Sequence, residues 1–325
     1  MKRKQTLKIV VLVVLVGQLS LVWVQRQAVA DWMKLLGYQA PSPVAALATE
    51  DTMTPEATKL FYVNHPEIVR GTLFSSNCPA GGEKTVVLGC YKGNDRGIYL
   101  YDVTDERLNG VEQVTAAHEM LHAAYRRLSS SERKEVDGWL MAYYQNELTD
   151  QRIKDIIESY KKSEPDDVVN EMHSIFATEI ATLPSNLETY YKRYFENRAK
   201  VIAYTSQYQA EFTTRQDQIT TYDSQLKSLK SQIDANEATL KQQRSTLDKL
   251  SQQMQSAKAR GDTAAYNSMV PGYNAKVNAF NVLLEATKSQ IAQYNDLVEK
   301  RNAVAVEEQQ LVKALSSDTD TVTTQ

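Results

Sequence analysis

From Ile219 onward the chain carries apolar residues at alternating spacings of three and four: Tyr222, Leu226, Leu229, Ile233, Leu240, Leu247, Leu250, Met254 and Ala257. Asn236 and Gln243 fall in the same series. A helix turns once in 3.6 residues, so this spacing draws one narrow apolar stripe along it, and such a stripe is stable only against another. A second stripe runs through Tyr266, Val270, Tyr273, Val277, Phe280, Leu284, Thr287, Ile291, Tyr294 and Val298, after a breaker region with Gly261, Asp262, Pro271 and Gly272. Two long helices folded back on each other satisfy both stripes, giving an antiparallel coiled-coil hairpin over 186–315 with a disordered tail at 316–325. The polar Asn236 and Gln243 are expected to fix its register. The aromatic-Asn pairs Tyr266-Asn267, Tyr273-Asn274, Phe280-Asn281 and Tyr294-Asn295 are read as seam positions rather than as a carbohydrate-binding ladder.

Upstream of residue 186 the pattern is that of a globular domain over 54–185, within the usual domain size. Thr54-Pro55-Glu56 starts a helix, with Thr as cap and Pro in the first turn, that ends before Asn64-His65-Pro66. His65 is read as a solvated turn residue. Two β-prone runs, Val86-Val87-Leu88 and Ile98-Tyr99-Leu100-Tyr101, flank Lys92 to Gly97 as a hairpin. After Asp105 the spacing becomes helical, with Val111, Val114, His118, Leu121, His122 and Tyr125 on one face and Ser129-Ser130-Ser131 ending it. Further helices are expected at 132–146, 150–162 and 166–183, the last with Pro165 near its start and closed by Pro184. The fold class is α+β, mostly α-helical with a small sheet, followed by the hairpin.

Lys2, Arg3, Lys4 and Lys8 precede an apolar run from Ile9 to Val24, the pattern of an export signal over 1–30. Ala28-Val29-Ala30 fits a cleavage site before Asp31, yet the run also suits an uncleaved membrane anchor. Either way the positive flank stays inside and the rest lies outside the cytoplasm. Residues 31–53, with Pro41 and Pro43 among small residues, read as a linker. The chain has two cysteines, Cys78 and Cys90, expected to pair in an oxidising compartment. With 37 basic against 40 acidic residues there is no field that would favour nucleic acid.

His118-Glu119-Met120-Leu121-His122 carries the chemistry. Two histidines four apart on a helix project both imidazoles from one face, as two ligands of a tetrahedral zinc require. Glu119 then lies beside the metal, placed to take a proton from the attacking water and pass it to the leaving amine. The surrounding Thr115-Ala116-Ala117 and Ala123-Ala124 carry no charge, as a buried metal helix needs.

The segment resembles the zinc helix of the zincin metallopeptidases. That resemblance implies a zinc-dependent endopeptidase with an edge strand holding an extended peptide above the metal, here the run Gly97 to Val103. The metzincin variant places a third histidine six residues after the second, where this chain has Leu128. A gluzincin arrangement with a glutamate on a later helix fits better. Asn170-Glu171 followed by Ser174-Ile175-Phe176-Ala177-Thr178 is similar to the thermolysin-family ligand helix, which favours Glu171 as third ligand, though Ile175 stands where that family has an aspartate supporting a ligating histidine.

Glu179 competes for that role, and eight helical residues separate it from Glu171 by about 12 Å, so one zinc cannot take both. Glu171, Ser174 and Thr178 form a small polar stripe suited to the Ala-rich face of the first helix. Glu179 falls on the apolar face of its helix, where a buried carboxylate needs a partner. His173 points away from Glu171 and is read as an ordinary helix residue. Tyr125, Tyr190 and Tyr191 are candidates for oxyanion stabilisation. The expected partners are a protein or peptide substrate, the membrane if the N-terminal segment is retained, and a protein bound by the coiled coil. Two other functions remain open: hydrolysis of cell-wall peptide cross-links, and a non-catalytic envelope scaffold with a structural or vestigial zinc site.

Overall fold

The structure, a computed structural model, describes residues 26–79 and 86–316. The chain forms two compact units, one running to Gln209 and resuming at Lys313, the other spanning Ala210–Val312. The expected export signal up to residue 25 lies outside the described residues, as does the tail beyond residue 316. Among the described residues no helix is long and apolar enough to cross a membrane.

The first unit begins with α1 (Arg26–Leu35) and α2 (Ser42–Glu50), which overturns the expected linker over 31–53. Pro43 sits in the first turn of α2, where its missing N–H costs nothing. Val44, Leu47 and Ala48 of that helix are buried in the main core. Asp31 is held by both guanidinium nitrogens of Arg127 at 2.9 Å and by Lys59 at 3.1 Å. The helix capped by Thr54 forms as expected, α3 (Pro55–Val63), with the Thr54 hydroxyl accepting from the Ala57 N–H. His65 is exposed beyond its end and stacks on Tyr38 with ring centres 4.4 Å apart.

Three short strands, β1 (Glu67–Val69), β2 (Gly89–Tyr91) and β3 (Ile98–Tyr101), form a sheet in the order β1-β3-β2, with β1 parallel and β2 antiparallel to β3. The hairpin is therefore present, but its first strand lies three residues later than the Val86-Val87-Leu88 run. The strand expected at the sheet edge, within Gly97 to Val103, is instead central: the three-residue β1 covers its far side. Helix α4 (Gly71–Asn77) precedes Cys78, whose disulfide to Cys90 ties its end to β2.

Helices α5 (Val111–Arg126), α6 (Ser130–Asn146), α7 (Gln151–Ser163) and α8 (Val168–Glu179) follow close to the expected spans. Ser129 does not merely end α5. It caps α6 in a reciprocal capping box with Glu132. Gly110, at φ +105°, starts α5 where a Cβ would meet the Tyr204 carbonyl oxygen at 2.9 Å.

The boundary expected at residue 186 is also corrected. Helix α9 (Ser185–Tyr191), then Tyr194, Phe195 and Val201, bury themselves in the same core as α5 and α8. Their polar composition hides this because the buried tyrosines satisfy their hydroxyls internally: Tyr191 donates to the His173 carbonyl at 2.7 Å.

Helices α10 (Arg198–Ala259) and α11 (Thr263–Leu315) make up the C-terminal pair. Arg215 contacts Glu307 at 3.3 Å, Asp223 contacts Arg301 at 3.1 Å, and Asn236 donates to Gln290 at 2.8 Å. The partner number falls as the residue number rises, which defines an antiparallel pair. The turn lies at Gly261, with φ +73°. Pro271 sits inside α11 and Gly272 beside it, so neither belongs to the break. Continuation of the apolar stripe past Pro271 outweighs the one backbone hydrogen bond its ring removes.

Candidate metal centre

Helices α5 and α8 pack against each other along their small residues. Ala116, Ala117 and Ala123 on α5 and Ser174, Ala177 and Thr178 on α8 are fully buried. Residues this small let two helix axes come close, so side chains projecting along the edge of the contact meet. His118 Nε2 lies 3.5 Å from Glu171 Oε2, and His122 Nε2 lies 3.3 Å from Glu171 Oε1. The two imidazole centres are 4.7 Å apart. The potential ligand atoms of His118, His122 and Glu171 all fall within 4.8 Å of one another.

Among the described residues Glu171 Oε2 is buried without a hydrogen-bond partner, His118 Nε2 standing 3.5 Å away. A buried anionic oxygen without donors calls for a cation. Two imidazole nitrogens and one carboxylate form a donor set that suits zinc, with a fourth position left open. Burial alone would raise the Glu171 pKa. The imidazoles of His122 and His118 and a hydrogen bond from Tyr160 nevertheless hold the carboxyl below its usual range.

Ser174 Oγ lies 3.4 Å from His122 Nδ1, the ring nitrogen turned away from the centre. The polar stripe read from the sequence thus reaches the first helix, and a hydroxyl stands at the ligand's outer nitrogen where Ile175 offers none. Glu119 is buried beside the cluster. Burial pushes its carboxyl up to about 7, with Glu171 adding to the rise, against the opposing pull of His122 and a main-chain hydrogen bond from Tyr91.

Glu179 is not brought to the histidines. Its carboxylate takes the Arg152 guanidinium at 2.6 Å. The three tyrosines considered for oxyanion stabilisation are also turned elsewhere: Tyr125 donates to Asp137 at 2.7 Å, Tyr190 lies 2.9 Å from His173 Nε2, and Tyr191 bonds the His173 carbonyl. His173, expected to be an ordinary helix residue, is fully buried among these rings, and burial pushes its pKa down to about 3.

Two residues missed in the sequence matter here. Tyr160 faces Glu171 from α7, and its position follows from helical spacing after the buried Ile153 and Ile157. Arg198 donates to the carbonyls of Ala177 and Ile180 at 3.1 and 2.6 Å, fixing the end of α8 with a cation where the helix dipole is negative. No local signal marks Arg198, because the carbonyls it holds lie about twenty residues upstream.

The wall opposite α8 is β2. Tyr101 N–H bonds the Leu88 carbonyl and Lys92 N–H bonds the Gly97 carbonyl, so the alternation of an antiparallel ladder turns the main-chain groups of Gly89 and Tyr91 away from β3. A Cβ at Gly89 would stand 2.5 Å from Thr115 Cγ2 and 3.0 Å from Glu119 Oε1, so only glycine lets the strand lie directly on α5 at Glu119. Together these elements bound a cleft of about 310 Å³, whose lining includes Gly89, Tyr91, His118, Glu119, His122 and Glu171. No protein-family model matches this chain, and neither does any curated protein or solved structure.

Proposed function

We propose that the protein is a zinc-dependent endopeptidase of gluzincin type, acting outside the cytoplasm on protein or peptide substrates. The observation that carries this is the convergence of potential ligand atoms of His118, His122 and Glu171 within 4.8 Å of one another, with the buried Glu119 carboxylate beside them in a cleft. His118, His122 and Glu171 would hold the metal. When bound, zinc supplies Lewis acidity to a water and to a carbonyl oxygen. Glu119 takes the proton from the attacking water and delivers it to the amine as the C–N bond breaks, a role favoured by a carboxyl whose burial raises its proton affinity toward neutrality. Ser174 orients His122, and Tyr160 orients Glu171.

The main-chain groups of Gly89, turned away from β3, pair an extended substrate strand, replacing Gly97 to Val103 in that role; at Tyr91 the main chain is already engaged by Glu119 and by the Gly93 N–H. The Cys78–Cys90 disulfide supports an oxidising compartment and agrees with the basic, then apolar, N-terminal sequence.

Activity of the full-length protein toward unstructured protein substrates, with zinc supplied, tests the assignment. Glu119→Gln is expected to lower kcat by about 10² to 10⁴ while leaving zinc bound. Equal rates in the two proteins would rule out Glu119 as the proton carrier and with it this function.

A further inference from the structure

We propose that Arg126 is a specificity-determining residue that recognises a carboxylate on the substrate, an inference that rests on the cleft being a peptide site. Arg126 lies four residues beyond His122, one turn on along the same face of α5, and its side chain lines the cleft. Its guanidinium lies beside Gly93: a Cβ there would be 3.6 Å from Arg126 Cζ. Gly93 is two residues past the end of β2. Gly93 lies in the turn that follows β2, its N–H folded back on the Tyr91 carbonyl at 3.1 Å, so the cation stands just beyond the Tyr91 end of that strand.

Among the described residues the Arg126 side chain makes no hydrogen bond and no ion pair. Its neighbours differ. Arg127 binds Asp31 and Asp95, each at 2.9 Å, and the Arg133 guanidinium lies 4.9 Å from the Tyr125 ring centre while donating to the Tyr125 carbonyl. Lys92, on the same wall as Arg126, gives its ammonium to Asn77 at 2.6 Å. Arg126 is thus the cation in this wall that remains available to a ligand, and its planar fork suits a carboxylate.

Across the cleft, Glu164 and Asp167 project from the α7 and α8 side, and Asp167 accepts from Asn170 at 3.0 Å. They disfavour a carboxylate on that side, so an anionic group on a strand paired to β2 is directed to Arg126. Two sources share this chemistry: an acidic side chain, where the peptide runs antiparallel or parallel to β2, and the C-terminal carboxylate of a chain that ends there.

The test is equilibrium binding of fluorescent hexapeptides to zinc-loaded full-length Glu119→Gln protein, with cleavage by the wild type measured in parallel. One peptide pair differs only as Glu against Gln, the other only as C-terminal acid against amide. The expected preference for the anionic member is threefold to tenfold, roughly what a partly exposed charge pair provides, and the arm that shows it names the source. It should fall to about one in Arg126→Gln, survive in part in Arg126→Lys, and invert in Arg126→Glu. Equal binding in both arms, no measurable binding, or a preference unchanged in Arg126→Gln overturns the inference. A preference that depends on Arg126 without any cleavage by the wild type upholds it and overturns the hydrolytic function instead.

Discussion

Met120, Leu121, Leu140, Phe176 and Tyr191 are fully buried within one continuous core of the first unit, whereas in Ala210–Val312 the residues under a tenth exposed are Ile233, Met254, Ala257, Thr287 and Leu311. One unit is packed in three dimensions and the other along a line. The difference decides where chemistry can reside. A core bounded by several elements can remove Glu119, Glu171 and His173 from water while bringing polar groups of other elements against them, as Tyr160 meets Glu171 and Tyr190 meets His173. A residue in a two-helix seam has one facing helix and keeps solvent on its flanks, so its polar groups pair with each other, as Asn236 does with Gln290.

The sharpest test of that contrast is truncation of a comparable apolar residue in each unit. Leu140→Ala removes a side chain with no exposure and is expected to cost about 2 to 5 kcal/mol. Ile291→Ala, at 38 % exposure in α11, should cost less than about 1 kcal/mol because part of its surface already meets water. Urea denaturation followed by circular dichroism separates the two, and equal losses would mean that the seam is packed as tightly as the core.

A smaller effect probes the limits of the first unit's polar burial. Asp51 is fully buried, among the described residues neither of its carboxylate oxygens has a hydrogen-bond partner, and burial, with Glu50 adding to it, raises its pKa well above the usual value. In the unfolded chain an aspartate titrates near 3.9. The folded state therefore binds this proton more tightly, and stability declines as pH rises from the unfolded value through the folded one. Asp51→Asn should stabilise the protein by about 1 to 3 kcal/mol at pH 7.5, with the gain shrinking toward zero near pH 4. A gain of the same size at both pH values would show that the carboxyl is not the source of the penalty.

The same contrast explains what could be read from the chain alone. The helix pair, α3, and α5 to α8 announce themselves through periodicity, Thr54, and Pro165 and Pro184 on either side of α8, because a helix is a local structure. That His118 and His122 share one face was legible for the same reason, whereas the preference for Glu171 rests on the likeness of its segment to a thermolysin-type ligand helix, helix geometry giving one argument for each glutamate. Glu171 could be preferred over Glu179 but not separated from it, since the decision depends on Arg152, which lies on a different helix. Strand order was not legible, because β1 has three residues and its pairing with β3 bridges about thirty positions. Residues 31–53 misled because prolines that begin a helix look like prolines of a linker, and residues 186–209 because tyrosines that donate internally look polar.

In the proposed centre His118, His122 and Glu171 hold one divalent metal. Zinc content per chain, measured by atomic emission after dialysis against a weak chelator, tests it most directly. Wild type and Glu179→Gln are expected to retain about one zinc, while His122→Ala and Glu171→Gln fall tenfold or more in affinity and emerge nearly metal-free. Full zinc in Glu171→Gln, or its loss in Glu179→Gln, would contradict the account.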